Sequence, residues 1–293
     1  MVASVGKRLA LAVLLLAAGE GASASADVHP WAGLGSLVIP GVGQAAQGRY
    51  QTALGHGGLW LGTGLASGAL AGREDYLEAG TRADEDRRVL FYNRTTYYSE
   101  LLGTVATDTA LFSAYDAFYG GQAQGAGKLV AAPFRPRYLK RMTTWIPVAV
   151  RGALVLTDTE LDWRITTDDS ISKWEIGAAN GVKYESVAVG EEALFRGVAN
   201  RQLTEWWGTV PGVAASSVLF GLAHSGRGGT AGKAAAGGFG AYLGWLHVRN
   251  DYDLGEGVAV HFWWNFLTAV DYLTEAKDPE QTSYPLLQLQ GRF

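Results

Sequence analysis

Cysteine is absent from all 293 residues, which removes disulfides, thiolate metal ligands and a cysteine nucleophile from consideration. Charge is scarce too. Asp, Glu, Lys and Arg make up 18% of the chain, against about 25% in ordinary soluble domains. The formal net charge is −4, so the basic excess that grips a nucleic acid is missing, and nucleic acid is not an expected partner.

What is plentiful is small and apolar. The chain holds 40 glycines and is 48% hydrophobic, yet its mean hydropathy is only +0.04. Small residues let transmembrane helices approach closely while scoring poorly on hydropathy. The expectation is an all-α fold, a polytopic transmembrane helical bundle with the lipid bilayer as its surroundings.

Residues 1–26 read as a secretory signal peptide. Lys7 and Arg8 form the basic region, Leu9–Ala18 the apolar stretch, and Ala24-Ser25-Ala26 an A-x-A cleavage site. The apolar stretch is too short to span well, so cleavage after Ala26 is expected. A membrane region over 27–142 follows. It opens on Trp31–Arg49, where Pro40-Gly41 breaks a helix, and continues into the apolar Thr52–Ala71 as a tight hairpin. The PGxGQ run at Pro40–Gln44 resembles a segment near the start of many small bacterial membrane proteins.

Arg73–Ser99 mixes charges with tyrosines and reads as solvated or interfacial; within it, Asn93-Arg94-Thr95 matches a glycosylation sequon by pattern alone. Glu100–Tyr119 is a second span. Its Asp108 and Asp116 stand on one face, which should look into protein. Lys128, Arg135, Arg137 and Lys140 place the following linker in the cytoplasm by the positive-inside rule, and the chain in the bacterial inner membrane. The segment 143–275 carries the chemistry, on helices expected near Asn180–Leu203, Val210–His224, Gly229–Val248 and Glu256–Leu273. A flexible tail, 276–293, completes the chain. Late alternation in Tyr284–Phe293 hints at a barrel strand, but repeated alternating segments are missing upstream.

The stretch Gly190–Arg201, GEEALFRGVANR, organises that segment. Glu192 and Arg196 are four apart on a helix and suited to an ion pair. Glu191 is turned about 100° from Glu192 by the helical pitch and is left without the arginine. Further on, His224 follows Phe220 by four in SVLFGLAH, and His261 and Asn265 share a helix face in AVHFWWNFL. Amide hydrolysis needs such a set: a base to take a proton from water, and donors to hold the oxyanion. Two readings of the imidazoles stand. In one, Glu191 and His224 activate water while His261 and Asn265 hold the oxyanion. In the other, His224 and His261 with Glu191 ligate a divalent metal such as Zn²⁺, which lowers the pKa of its bound water. No H-E-x-x-H pair supports the zinc spacing.

Glu191-Glu192-x-x-x-Arg196, Phe220-x-x-x-His224 and His261-x-x-x-Asn265 resemble, in order, the three motifs of the CPBP intramembrane protease family. That family includes the CAAX prenyl proteases of the Rce1 type and the Abi relatives linked to bacteriocin processing and immunity. The resemblance covers about Thr143–Leu273. It implies an all-helical membrane fold with a site recessed in the bilayer, and a peptide or membrane-protein substrate. It also implies Glu191 as the water-activating residue, with His224, His261 and Asn265 completing the site. Glu192, Arg196 and Phe220 are then supporting members.

Plainer readings stand beside these. A Glu-Glu pair with arginine at i+4 is ordinarily a solvated helix face, and Lys183, Glu185 and Arg201 would extend such a face. His247 reads as interfacial, His56 as a packing or helix–helix hydrogen-bonding residue, His29 as exposed, and Phe262-Trp263-Trp264 as packing. A non-catalytic scaffold or immunity-type protein that keeps the site is the alternative function.

Overall fold

The computed structural model describes residues 28–77, 89–156, 164–224 and 229–274. The signal-like start, residues 225–228 and the terminal tail lie outside the described residues. In order the chain forms α1 (Pro30–Val38), α2 (Val42–Ala46), α3 (Tyr50–Ala71), strand β1 (Val89–Tyr92) and α4 (Arg94–Phe118). Short helices α5 (Ala126–Val130) and α6 (Pro136–Leu139) lead to α7 (Met142–Leu156) and strand β2 (Arg164–Thr167). Helix α8 (Lys173–Glu191) passes without a break into a π-helix (Glu192–Asn200) and then α9 (Arg201–Trp207). Helices α10 (Thr209–Ala223), α11 (Gly229–Arg249) and α12 (Gly255–Thr274) complete the described chain. The helices from α8 onward follow the expected apolar segments to within a few residues, except that the first runs further at both ends.

The contacts divide the chain into two compact units. The first runs to Leu61 and continues over Thr107–Ala132 and Ala188–Val258. Its apolar centre gathers Leu37, Leu111, Ala114, Leu194, Phe195 and Phe220. The PGxGQ run finds its purpose in this unit. Gly41 takes φ +95°, open to glycine, and any Cβ at Gly43 would collide with the Ala32 carbonyl. The fully buried Gln44 donates to the Ser113 carbonyl and the Asp116 carboxylate, both at 2.9 Å. Arg49 pairs with Asp116 at 2.8 Å. His56 Nδ1 lies 3.1 Å from Ser113 Oγ and 3.2 Å from Gln44 Nε2. The segment is a polar clip on the last turns of α4. Asp116 looks into protein, as expected, and His56 is a helix–helix hydrogen-bonding residue.

The second unit takes Gly62–Ala106, Pro133–Val187 and the chain from Ala259 on. Its centre holds Tyr92, Tyr97, Ile165, Ile171, Ile176 and Leu273. The described chain is mostly helical, as the all-α expectation has it, with one small addition: β1 and β2 pair in parallel, Leu90 against Ile165 and Tyr92 against Thr167. Two four-residue strands so far apart in sequence leave no periodic signal. The sequon also reads differently. Asn93 caps α4, its Oδ1 accepting from the Thr96 N–H at 2.8 Å while its own N–H donates to Thr96 Oγ1 at 3.0 Å. Its Nδ2 donates to the Asp75 carbonyl at 2.7 Å, and the residue is buried. With Tyr92, Thr95, Tyr97 and Ser99 also buried, this end of Arg73–Ser99 is core rather than solvated. Asn93→Ala is expected to cost about 1 kcal/mol through the lost cap. Chemical unfolding measures it, and a glycan attached at Asn93 in a glycosylating host would contradict the burial.

No helix among the described residues is long and apolar enough to cross a membrane, so the polytopic expectation draws no support from hydropathy. Helix α3 shows why. Its 22 residues include no charged side chain and none that is buried, but glycine, serine, threonine and histidine dilute its leucines.

Candidate functional site

Glu191 is the last residue of α8 and Glu192 the first of the π-helix, so the two adjacent carboxylates stand where the winding changes. Single turns of π-helix recur at functional sites; here the wider winding extends over 9 residues, all of them buried. This overturns the solvated-face reading: Glu191 is 5% exposed, Glu192 0% and Arg196 2%.

The two motifs in the first unit close into a ring of contacts. Arg196 Nη1 donates to Glu192 Oε1 at 2.9 Å, the expected ion pair. Its Nη2 donates to the Gly240 carbonyl at 3.2 Å. The guanidinium lies over the Phe220 ring, with Cζ 4.1 Å from the centroid, a cation–π contact. Phe220 in turn packs at a tilt against His224, ring centroids 4.1 Å apart, and is buttressed edge-on by Phe195. His224 Nε2 then returns to Glu191 Oε2 at 3.4 Å. The Phe220 ring therefore lies between the Arg196 guanidinium and the His224 imidazole.

His224 ends α10, and its Nδ1 is 2.8 Å from the Phe220 carbonyl, which can only accept. The hydrogen bond therefore assigns a proton to Nδ1 and turns Nε2 toward the acid. The carboxylate left alone in the sequence reading thus has a partner, brought from another helix. This pair can take a proton from water and return it to a leaving amine.

Two glycines set the backbone around these acids. A Cβ at Gly190 would fall 2.6 Å from Asp108 Cβ and 2.8 Å from its Cα, so α4 and the end of α8 touch along their backbones. Asp108 is 4% exposed and faces protein, as its spacing with Asp116 suggested. A Cβ at Gly257, in the first turn of α12, would stand 3.1 Å from Glu192 Oε2, so a helix N-terminus lies beside that carboxylate. Gly190→Ala must push Glu191 off its position. We expect kcat to fall about 10²-fold, the cost of an ångström-scale misplacement, with KM nearly unchanged. Steady-state kinetics of the variant check this, and unaltered turnover would show the crossing to be slack.

The third motif lies in the second unit. His261 on α12 is 2% exposed. Asn265 is half-buried, and its carboxamide makes no hydrogen bond among the described residues. The aromatic run beside them is packing, as read: Phe262 is buried and stacks on Phe266, and Trp263 Nε1 donates to the Pro133 carbonyl at 3.0 Å. Among the described residues no three His, Asp or Glu side chains gather to hold a metal ion.

The interfacial reading of His247 is corrected. It is 3% exposed, its Nδ1 faces Asn200 Nδ2 at 3.2 Å, and its Nε2 meets the Tyr252 carbonyl at 3.1 Å. Asn200 Oδ1 also accepts from Ser216 Oγ at 2.8 Å. This network ties the π-helix to α10 and α11, and sequence reasoning missed it. The fourfold spacing of Arg196 and Asn200 was the only trace. Exposed His29 stands as read.

Glu191 and the part-exposed His224 thus stand beside Arg196 and Phe220 on packed helices of the first unit. Residues 184–267, the stretch that carries these side chains, match the family model described as Type II CAAX prenyl endopeptidase Rce1-like. That family is a protease family, and the matched residues take in all three motifs. No curated protein and no solved structure matches the chain.

Proposed function

We propose that this chain is an intramembrane endopeptidase of the bacterial inner membrane, hydrolysing a peptide bond of a membrane-associated protein or peptide by a glutamate-based mechanism. The observation that carries this reading is the 3.4 Å approach of His224 Nε2 to Glu191 Oε2, with the imidazole held by the Phe220 carbonyl. Glu191, assisted by His224, takes a proton from water. The hydroxide oxygen adds to the scissile carbonyl, and hydrogen-bond donors hold the oxyanion, a role that the motif resemblance gives to His261 and Asn265. Collapse of the intermediate breaks the C–N bond as the Glu191 proton passes to the leaving nitrogen, giving a carboxylic acid and an amine.

Support for the bilayer comes from side chains aimed outward. On α3, Leu54 is 77% exposed and Leu65 65%; on α10, Val210 is 79%. Exposed apolar side chains along a helix without charge suit hydrocarbon better than water. A substrate trap tests the whole reading. Glu191→Gln, expressed in a null strain, should accumulate uncleaved membrane proteins that the parent chain processes. Equal membrane proteomes for parent and variant would refute the enzyme and favour a binding protein that retains the site.

A further inference from the structure

Among the described residues of the second unit, buried charged side chains have an ion-pair partner with one exception. Arg151 is held by Asp271 at 2.8 Å, and Lys183 by Glu100 at 2.8 Å. Glu185, two residues beyond Lys183 on α8, is 9% exposed, and neither of its carboxyl oxygens has a hydrogen-bond partner. An isolated buried carboxyl is costly to keep, and the two buried cations of its own unit are already taken. Helix α8 gives it a setting. Gly177 packs against Leu273 of α12, its Cβ position 3.7 Å from Leu273 Cδ1. Eight residues further along each helix, in opposite senses, stand Glu185 and Asn265, the carboxamide that also lacks a partner among the described residues. Glu185 stands six residues of α8 before Glu191.

We infer that Glu185 is a specificity residue that receives a basic side chain, lysine or arginine, of the polypeptide substrate. This rests on the protease reading and names a feature of its substrate. A carboxylate in an apolar setting discriminates strongly between a cation that completes the ion pair and a neutral isostere that leaves it unpaired. Leaving Glu185 without a counter-ion in the empty protein also makes its removal cheap for folding.

The test uses the full chain carrying Glu191→Gln in detergent micelles, so that binding is read without turnover. The probes are fluorescent apolar peptides of one sequence with arginine or citrulline at successive positions. At one position the arginine peptide should bind about tenfold or more tightly than its citrulline twin. Adding Glu185→Gln should erase that difference, and Glu185→Leu should do the same. Both variants should unfold at or above the midpoint of their parent. An arginine preference that is absent, or that survives Glu185→Gln, overturns the inference. So does a lowered midpoint, which would reveal a partner inside the protein. Cleavage by the parent chain and its loss in Glu191→Ala are scored separately. If cleavage proves independent of Glu191 while the arginine preference holds, the protease mechanism fails and the basic subsite stands.

Discussion

Glu191→Ala should lower peptide-bond cleavage by about 10²–10⁴-fold, the usual share of a general base, while leaving the protein folded. The two halves of that expectation have separate causes. On the proposed mechanism chemistry is lost because the water proton would go to the carboxylate that faces His224 Nε2, while the Nδ1 side of the imidazole is committed to the Phe220 carbonyl. The fold is spared because Glu191 takes no part in the ion pair of Glu192 and Arg196. Cleavage assayed beside thermal unfolding decides it. Residual activity within a few-fold of the parent would remove Glu191 from the mechanism. A collapsed midpoint would make it a structural acid.

Arg196→Ala should behave in the opposite way, losing activity through the fold. Glu192 is 0% exposed, and the arginine 4 residues on is its ion-pair partner. Truncating one member of a buried pair leaves the other charge uncompensated, at about 3–5 kcal/mol. The same change strips the Gly240 carbonyl of its donor and the Phe220 ring of its cation. The double variant Glu192→Leu with Arg196→Met should recover most of the stability, because apolar residues of similar volume replace buried pairs at little cost. It should not recover full activity, since the cation over Phe220 that helps to seat His224 is still missing. Denaturant unfolding of the single and double variants is the measurement. A single variant as stable as the parent would show that water reaches Glu192.

Both expectations draw on residues already visible in the sequence, but the sequence held them unevenly. The ion pair is local: Glu192 and Arg196 meet because four residues return a helix to the same face, and the contact survives the change to π-helical winding. The helices after α8 are local too, since runs of apolar residues punctuated by Gly, Pro and polar breaks carry their own boundaries. Other features depended on partners distant in sequence. The solvated-face reading failed for Lys183 and Glu185 because charge pattern along one helix does not say what covers it. The sequon at Asn93 turned out to be a cap because Asp75 and Thr96 took its side chain. The use of Gln44 became clear only with Ser113 and Asp116 beside it.

By itself the sequence determined the helical class of the chemistry-bearing segment, its motif residues and the pairing of Glu192 with Arg196. These rest on spacing within a single helix, where geometry follows from residue number. Only the tertiary structure decided that Glu191 faces His224, that Phe220 lies between Arg196 and His224, that α4 meets Gly190 without room for a methyl group, and that Glu185 is buried without a counter-ion. Each of these depends on which helix packs against which, and one chain's residue pattern sets the apolar face of a helix without naming its neighbour.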